Sequence, residues 1–160
     1  MKIKNLKLKV LLPALLLPQL VGITSAYFTA RSVSTWYLTL NKPWFNPPSF
    51  VFAPVWTILY LLMGVSLYLL WTAKKSRIQV LALSLFAAQL VANWFWSLLF
   101  FGAQAPLAAL LEILLLLALI IATMLVSFKV NKLAAYLLIP YAVWVTFATV
   151  LNAAIVMLNP

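Results

Sequence analysis

The chain has no cysteine, no histidine and one acidic residue, Glu112, in 160 residues. Without thiols or imidazoles there is no thiol nucleophile, no disulfide, no haem ligation by His or Cys, and none of the usual zinc or copper donor sets. A lone carboxylate cannot form the carboxylate pair of general acid–base catalysis, nor a relay of acids for protons. No metal site and no required cofactor are therefore expected. Charge is scarce altogether: 8% of residues are charged and 67% hydrophobic, whereas a soluble domain carries about 25% charged residues and is under half apolar. The solvent of this chain is mainly lipid. What remains in quantity is aromatic, with 7 Trp, 6 Tyr and 10 Phe.

The 11 Lys and Arg give a net charge of +10. In a soluble protein that would point to nucleic acid. Here the cations sit in short clusters between apolar runs, the pattern of membrane topology signals, so nucleic acid is set aside as a partner. The first nine residues, M-K-I-K-N-L-K-L-K, resemble the basic start of a signal peptide. The apolar run that follows is longer than a signal core and is interrupted by Pro13 and Pro18, so it reads as a retained first span. Further runs cover about 49–72, 77–101, 106–128 and 133–158, beside 10–30 for the first. Each meets the ~20 residues needed to cross ~30 Å of hydrocarbon. Pro48 and Pro106 stand where helices start and a missing N–H costs nothing, Pro54 falls in the first turns of the second span, and Pro140 is placed to bend the fifth. The expectation is an all-α integral membrane protein, a single five-transmembrane-helix domain over 1–160 with a first loop at 31–48. Nine cations (Lys2, Lys4, Lys7, Lys9, Lys74, Lys75, Arg77, Lys129, Lys132) fall on one side and two, Arg31 and Lys42, on the other. That asymmetry predicts a cytoplasmic N-terminus and an outer C-terminus.

The stretch 36–60 organises the rest. Its N-K-P-W-F-N-P-P segment carries Pro43, Pro47 and Pro48 and cannot be regular helix. Trp36, Tyr37, Trp44 and Phe45 suit the membrane–water boundary, either as a lid for a flat apolar ligand or as an anchor belt that binds nothing. Helical spacing pairs Trp56 with Tyr60, Asn93 with Trp96, and Tyr141 with Trp144 and Ala148, with Asn152 a turn further. An amide in lipid turns toward other helices, so Asn93 and Asn152 point inward. The result is either an aromatic-walled cavity or ordinary aromatic packing around an interhelical hydrogen bond. Ser84, Ala88 and Ala92 form a small-residue ridge that suits a homodimer face. Glu112 is an intramembrane acid. It is functional, or it serves the helix dipole, bonds across the bundle, or is protonated.

W-Y-L-T-L-N-K-P-W-F-N-P-P, P-V-W-T-I-L-Y, N-W-F-W-S-L-L-F-F-G, A-L-L-E-I-L-L-L and L-L-I-P-Y-A-V-W-V-T-F-A-T-V-L-N occur in this order over 36–152. Together they resemble the translocator protein family, also called the tryptophan-rich sensory protein or peripheral-type benzodiazepine receptor family. The resemblance implies a five-helix bundle, usually dimeric, that binds protoporphyrin IX, haem, sterols and isoquinoline or benzodiazepine-type drugs. It carries the family's ligand-pocket positions onto Trp56, Tyr60, Asn93, Trp96, Trp144 and Ala148, and its first-loop lid onto Pro43, Phe45, Asn46 and Pro47.

Three features depart from the family pattern. The lid Trp is Phe45 here, with Trp44 one place earlier; the fourth-span acid, commonly Asp, is Glu112; and no Tyr follows Tyr141 and no cation follows Lys132, so the animal cholesterol pattern is missing. Such patterns are weak in any case. A microbial member in a bacterial cell membrane is expected. The function the resemblance implies is sensing porphyrin by binding it; the alternatives are light- and oxygen-dependent porphyrin degradation, with Trp56 or Trp144 as the redox-active neighbour, or tetrapyrrole transport, for which the chain shows no charged coupling site.

Overall fold

Proline and basic residues punctuate the helices of this chain. The structure is a computed structural model that describes residues 7–160, so Lys2 and Lys4 of the first cluster lie outside the described residues. Helix α1 is Leu8–Val33, α2 is a single turn at Trp36–Thr39, α3 is Ser49–Trp71, α4 is Arg77–Ser97, α5 is Pro106–Val130, α6 is Lys132–Tyr136 and α7 is Ile139–Leu158. The C-terminal end of α4 widens into a π-helical turn, Leu98–Gly102. Helices α6 and α7 together make the fifth span, and among the described residues five helices are long and apolar enough to cross a membrane. No strand occurs among the described residues. This is the expected all-α, five-helix bundle.

Two details differ from the sequence expectation. Helix α1 runs on to Val33 and α2 adds a turn, so of the expected 31–48 loop only the turn at 34–35 and the segment 40–48 lie outside helix. No proline stands between Pro18 and Pro43, so the chain coils on past residue 31, interrupted by one turn at 34–35, until the proline segment is reached. The fifth span is broken rather than bent. Pro140 lacks an N–H and its ring crowds the carbonyl four residues back, and the break falls at 137–138. There the Leu138 N–H bonds to Ala135 O (3.1 Å). This leaves the Ala134 carbonyl free, and it accepts from Ser66 Oγ on α3 at 2.8 Å. A buried carbonyl in a bilayer needs such a partner.

The connections at the basic end are built the same way. Ser76 Oγ caps α4 by accepting from the Gln79 N–H (3.1 Å), and the Gln79 amide donates back to Leu70 O in the last turn of α3 (3.1 Å). Lys74, Lys75, Arg77, Lys129 and Lys132 all lie at this end, where α1 also begins. Around the bundle, α1 packs between α3 and α4, α5 packs between α4 and α7, and α3 closes the ring against the fifth span. Helix α3 lies close to α6 but draws away along α7. The outward faces are mainly apolar: Leu12, Leu16, Ile58, Leu111, Leu125 and Val143 are all exposed, as lipid requires.

Lipid tails are as apolar as leucine, so helices associate through close packing rather than through the hydrophobic effect. The α1–α3 crossing shows the principle. A Cβ on Gly64 would stand 2.8 Å from the Leu15 Cα and 3.0 Å from the Ala14 carbonyl oxygen. That carbonyl is the one Pro18 deprives of its helical partner, and it rests against the bare glycine. Both obstacles are backbone, so neither can rotate away. Gly64→Ala should therefore destabilise the bundle by about 1–3 kcal/mol despite alanine's better helix propensity. Unfolding of the purified protein in mixed micelles measures this, and unchanged stability would refute the crossing.

Candidate functional site

The seam between α3 and α7 is where the aromatic residues collect. Spacing of four on α3 places Phe52, Trp56 and Tyr60 on one face, and Tyr141, Trp144 and Ala148 line the facing side of α7. The Trp56 ring stacks on Tyr60 (5.3 Å between centroids, 27° between planes) and meets Tyr141 edge-on at 6.2 Å. Phe52 meets Trp144 at 5.9 Å, Trp144 lies 5.5 Å from Phe147, and Phe147 lies 6.4 Å from Phe45 of the first loop. Two groups of rings thus line the seam: Phe45, Phe147, Trp144 and Phe52 toward the loop, and Trp56, Tyr60 and Tyr141 in the middle of the bundle. Rings this large hold the two backbones apart, which is why α3 and α7 diverge.

At the inner end stands Asn93. Tyr60 Oη donates to Asn93 Oδ1 at 2.7 Å, and Asn93 Nδ2 donates to Tyr141 Oη at 3.1 Å. All three side chains are buried. One amide thereby joins α4 to both α3 and α7 and satisfies two tyrosine hydroxyls that hydrocarbon cannot. Trp96 makes its hydrogen bond elsewhere. Its indole N–H donates to Asn152 Oδ1 (3.1 Å), Asn152 Nδ2 donates to the Pro106 carbonyl (2.9 Å), and its ring stacks on Phe100 at 5.3 Å. Trp96 therefore bridges two clusters: it packs against the core that holds Tyr60 and Tyr141, and against a second one toward the loop end in which Trp36, Tyr37 and Phe45 also pack.

The loop itself is a short rigid cover. Pro43 O accepts from the Asn46 N–H (3.0 Å), and Asn46 Oδ1 accepts from Tyr37 Oη at 2.8 Å. Lys42 Nζ sits 4.8 Å from the centre of the Tyr37 ring. Pro43, Phe45, Asn46 and Pro47 are all half-buried, whereas Trp44 is 95% exposed. The departure at 44–45 thus has a structural outcome: the phenyl ring turns inward and the indole turns out.

The structure brings together Trp56, Tyr60, Asn93, Trp144 and Ala148 around one seam, with the loop residues above it, and leaves Trp96 beside it. Sequence reasoning placed Tyr141 on the Trp144 stripe without carrying it into the ligand pocket, and left Phe52, Phe147 and Gly22 off the candidate site. Phe52 and Phe147 continue the helical spacing of Trp56 and Trp144 and were open to that signal. Gly22 was not. It lies on α1, and a Cβ there would fall 2.4 Å from Tyr60 Cε2. It is the seat of the Tyr60 ring. The small-residue ridge is uneven: Ser84 and Ala88 are exposed, while Ala92 is 8% exposed. A groove of about 420 Å³ lies beside it, lined by Ala88, Ala92, Phe95, Glu112 and Leu115 among others. Glu112 lies beyond the first turn of α5, and its two shielded oxygens have no hydrogen-bond partner. The helix-dipole and cross-bundle hydrogen-bond accounts of this acid are both overturned.

Residues 14–158 match the model of the TspO/MBR family. The chain belongs to this family. The tryptophan-rich protein TspO of Chlorobaculum tepidum is 48% identical over 142 residues, covering 88% of this chain and 89% of that protein. The TspO protein of Archaeoglobus fulgidus is 43% identical (87% and 90% covered), and the translocator protein of Bos taurus 40% identical (86% and 82% covered). The aromatic seam and its loop lie wholly within the stretch that matches the TspO/MBR family. Membership makes the chain an integral membrane protein and supports a membrane receptor role.

Two outcomes follow from this geometry. Tyr60 is held in place by Asn93, so Gly22→Ala must displace its ring and break the Tyr60–Asn93 bond; a loss of about 1–3 kcal/mol is expected. Gly22→Ala in a Tyr60→Phe background should cost no further hydrogen bond and so carry a smaller penalty, and equal penalties in both backgrounds would refute the coupling of Gly22 to the Tyr60–Asn93 bond. At the loop, burial raises the Tyr37 hydroxyl above its usual value of about 10, and the hydrogen bond to Asn46 offsets this only in part. A raised folded-state value contributes stability that is complete below pH ~10 and is lost as pH rises through the folded value. Base should therefore loosen the loop in wild type and leave Tyr37→Phe insensitive, measured as hydrogen exchange or proteolysis of 40–48 against pH.

Proposed function

We propose that this chain is a membrane receptor that senses planar tetrapyrroles, protoporphyrin IX or haem, by binding them at the α3–α7 seam beneath the first loop. The observation that carries the reading is the pair of aromatic groups on this seam: Trp56, Tyr60 and Tyr141 around the buried Asn93 amide, and Phe52 with Trp144 toward the loop. Stacking against indole and phenol faces supplies most of the affinity for a flat apolar macrocycle. Asn93 orients it, by exchanging a tyrosine partner for a polar edge of the ligand. Sterols and isoquinoline or benzodiazepine-type compounds use the same apolar walls without the flat fit. The functional unit is a homodimer in a bacterial cell membrane, formed through the α4 face at Ser84 and Ala88, with the basic end cytoplasmic and the loop outside.

One observation favours a second reading, light- and oxygen-dependent breakdown of the bound porphyrin. Trp56 touches both Tyr60 and Tyr141, three oxidisable rings in a row. The porphyrin would supply the excited state and oxygen the oxidant, so that the ligand carries the hard chemistry.

Titration of protoporphyrin IX into the detergent-purified protein in the dark, followed by tryptophan fluorescence, tests the first reading. Saturable quenching is expected, weakened about tenfold or more (~1.4 kcal/mol) in Trp144→Phe and in Asn93→Ala. Quenching that does not saturate, or is indifferent to both changes, would make the cluster packing alone. Illumination of the same samples tests the second: bleaching of bound porphyrin lost in Trp56→Phe supports it, and bleaching at the wild-type rate sinks it.

A further inference from the structure

The segment 40–48 lies over the aromatic seam, yet few bonds hold it down. Its three prolines donate nothing, Asn46 bonds to Tyr37 and to Pro47 within the same connection, and Lys42 bonds to the Leu40 carbonyl. Among the described residues, its only hydrogen bonds to another span converge on one place, the C-terminal end of α7. The Asn41 N–H donates to Asn159 Oδ1 at 2.9 Å, and Asn159 Nδ2 donates to Asn41 O at 3.0 Å, closing a reciprocal pair. Asn41 Nδ2 adds a third bond to the Leu158 carbonyl at 3.3 Å. Asn159 is itself fixed, because its Nδ2 and its N–H both reach Ile155 O, at 2.8 and 3.1 Å. The carbonyls of a last helical turn lack partners within the helix. Here the side chain that caps them also grips the loop.

We propose that Asn41 and Asn159 form a latch that holds the first loop closed over the α3–α7 seam and sets how fast a ligand passes in and out. This rests on the reading of that seam as the ligand site. The site's own rings lie below the loop, and the latch sits on α7, the same helix that carries Trp144 and Ala148. Releasing it frees 40–48 as a proline-stiffened flap, tethered at α2 on one side and at α3 on the other. Asn41 and Asn159 are thus positioning residues: they touch the cover and the helix end rather than the ligand.

The chain has no cysteine, so a thiol introduced at the seam by Ala148→Cys reports access to the site without any ligand. Its reaction with a small water-soluble thiosulfonate would be timed with the latch intact and with Asn159→Ala added. Labelling about tenfold faster in the double variant is expected; equal rates overturn the latch. Because Asn159→Ala also uncaps α7, Asn41→Pro weakens the latch from the other side, removing two of its three bonds and keeping only Asn159 Nδ2 to the residue-41 carbonyl, and leaves the Asn159–Ile155 bonds in place. Leu40 already has the extended backbone that a following proline requires (φ −73°, ψ 140°). The same acceleration is expected, and acceleration in Asn159→Ala alone would mean that the helix end frays, which also overturns the proposal. Dissociation of protoporphyrin IX in the dark is then measured in wild type, Asn159→Ala and Asn41→Pro. Faster release in both variants, with association faster as well, supports the latch. Faster labelling combined with no saturable porphyrin binding to wild type leaves the latch standing and removes the tetrapyrrole reading instead. Porphyrin exchange at the wild-type rate in both latch variants would show that ligand passes between α3 and α7 from the bilayer, and the latch would fall as its gate.

Discussion

One buried amide holds the centre of this bundle. In hydrocarbon a polar group finds no water, so each must find its partner within the protein. Asn93 meets that demand for three side chains at once, through its bonds to Tyr60 and Tyr141. Those bonds fix the rotation of α3, α4 and α7 relative to one another. They also set the planes of the two phenol rings, against which Trp56 is packed. Gly22 completes the arrangement from α1, since any side chain there would push Tyr60 off the amide.

Ring size does the rest. Where small residues meet, as at Gly64 against Ala14 and Leu15, the backbones approach to contact. Where Phe52, Trp56, Tyr141 and Trp144 meet, the backbones separate, and α3 leaves α7 along the outer part of their shared length. A tight crossing on one side of α3 and a spread seam on the other are consequences of the same packing rule. The spread seam needs a cover, and the proline segment provides one that is stiff but weakly attached. Phe45 is turned inward onto Phe147, and Trp44 is turned out to the interface.

Glu112 stands outside these accounts. It is the chain's only acid, and its oxygens are shielded without a partner beside the groove between α4 and α5. An unpaired carboxyl inside a bundle is costly as an ion, and neither of the compensations available to it by position, the helix end or a cross-bundle bond, is made.

The five spans, their approximate ends and the gathering of cations at one end were determined by the sequence alone. Lipid imposes a length and an apolarity that no other solvent demands, and proline and lysine mark the ends. The inward direction of Asn93, and the pairing of Trp56 with Tyr60 and of Trp144 with Ala148, were legible too, because helical spacing is a local property. The motifs at 36–152 were enough to recognise the family. Only the tertiary structure decided which inward residues share a centre. Asn93 and Trp96 are three apart on one helix, yet one bonds to Tyr60 and Tyr141 and the other to Asn152, because the two lie at different depths and face different neighbours. Gly22 beneath Tyr60, and Asn159 gripping Asn41, are contacts between residues 38 and 118 positions apart. No local pattern encodes them, because each depends on how the whole ring of helices closes.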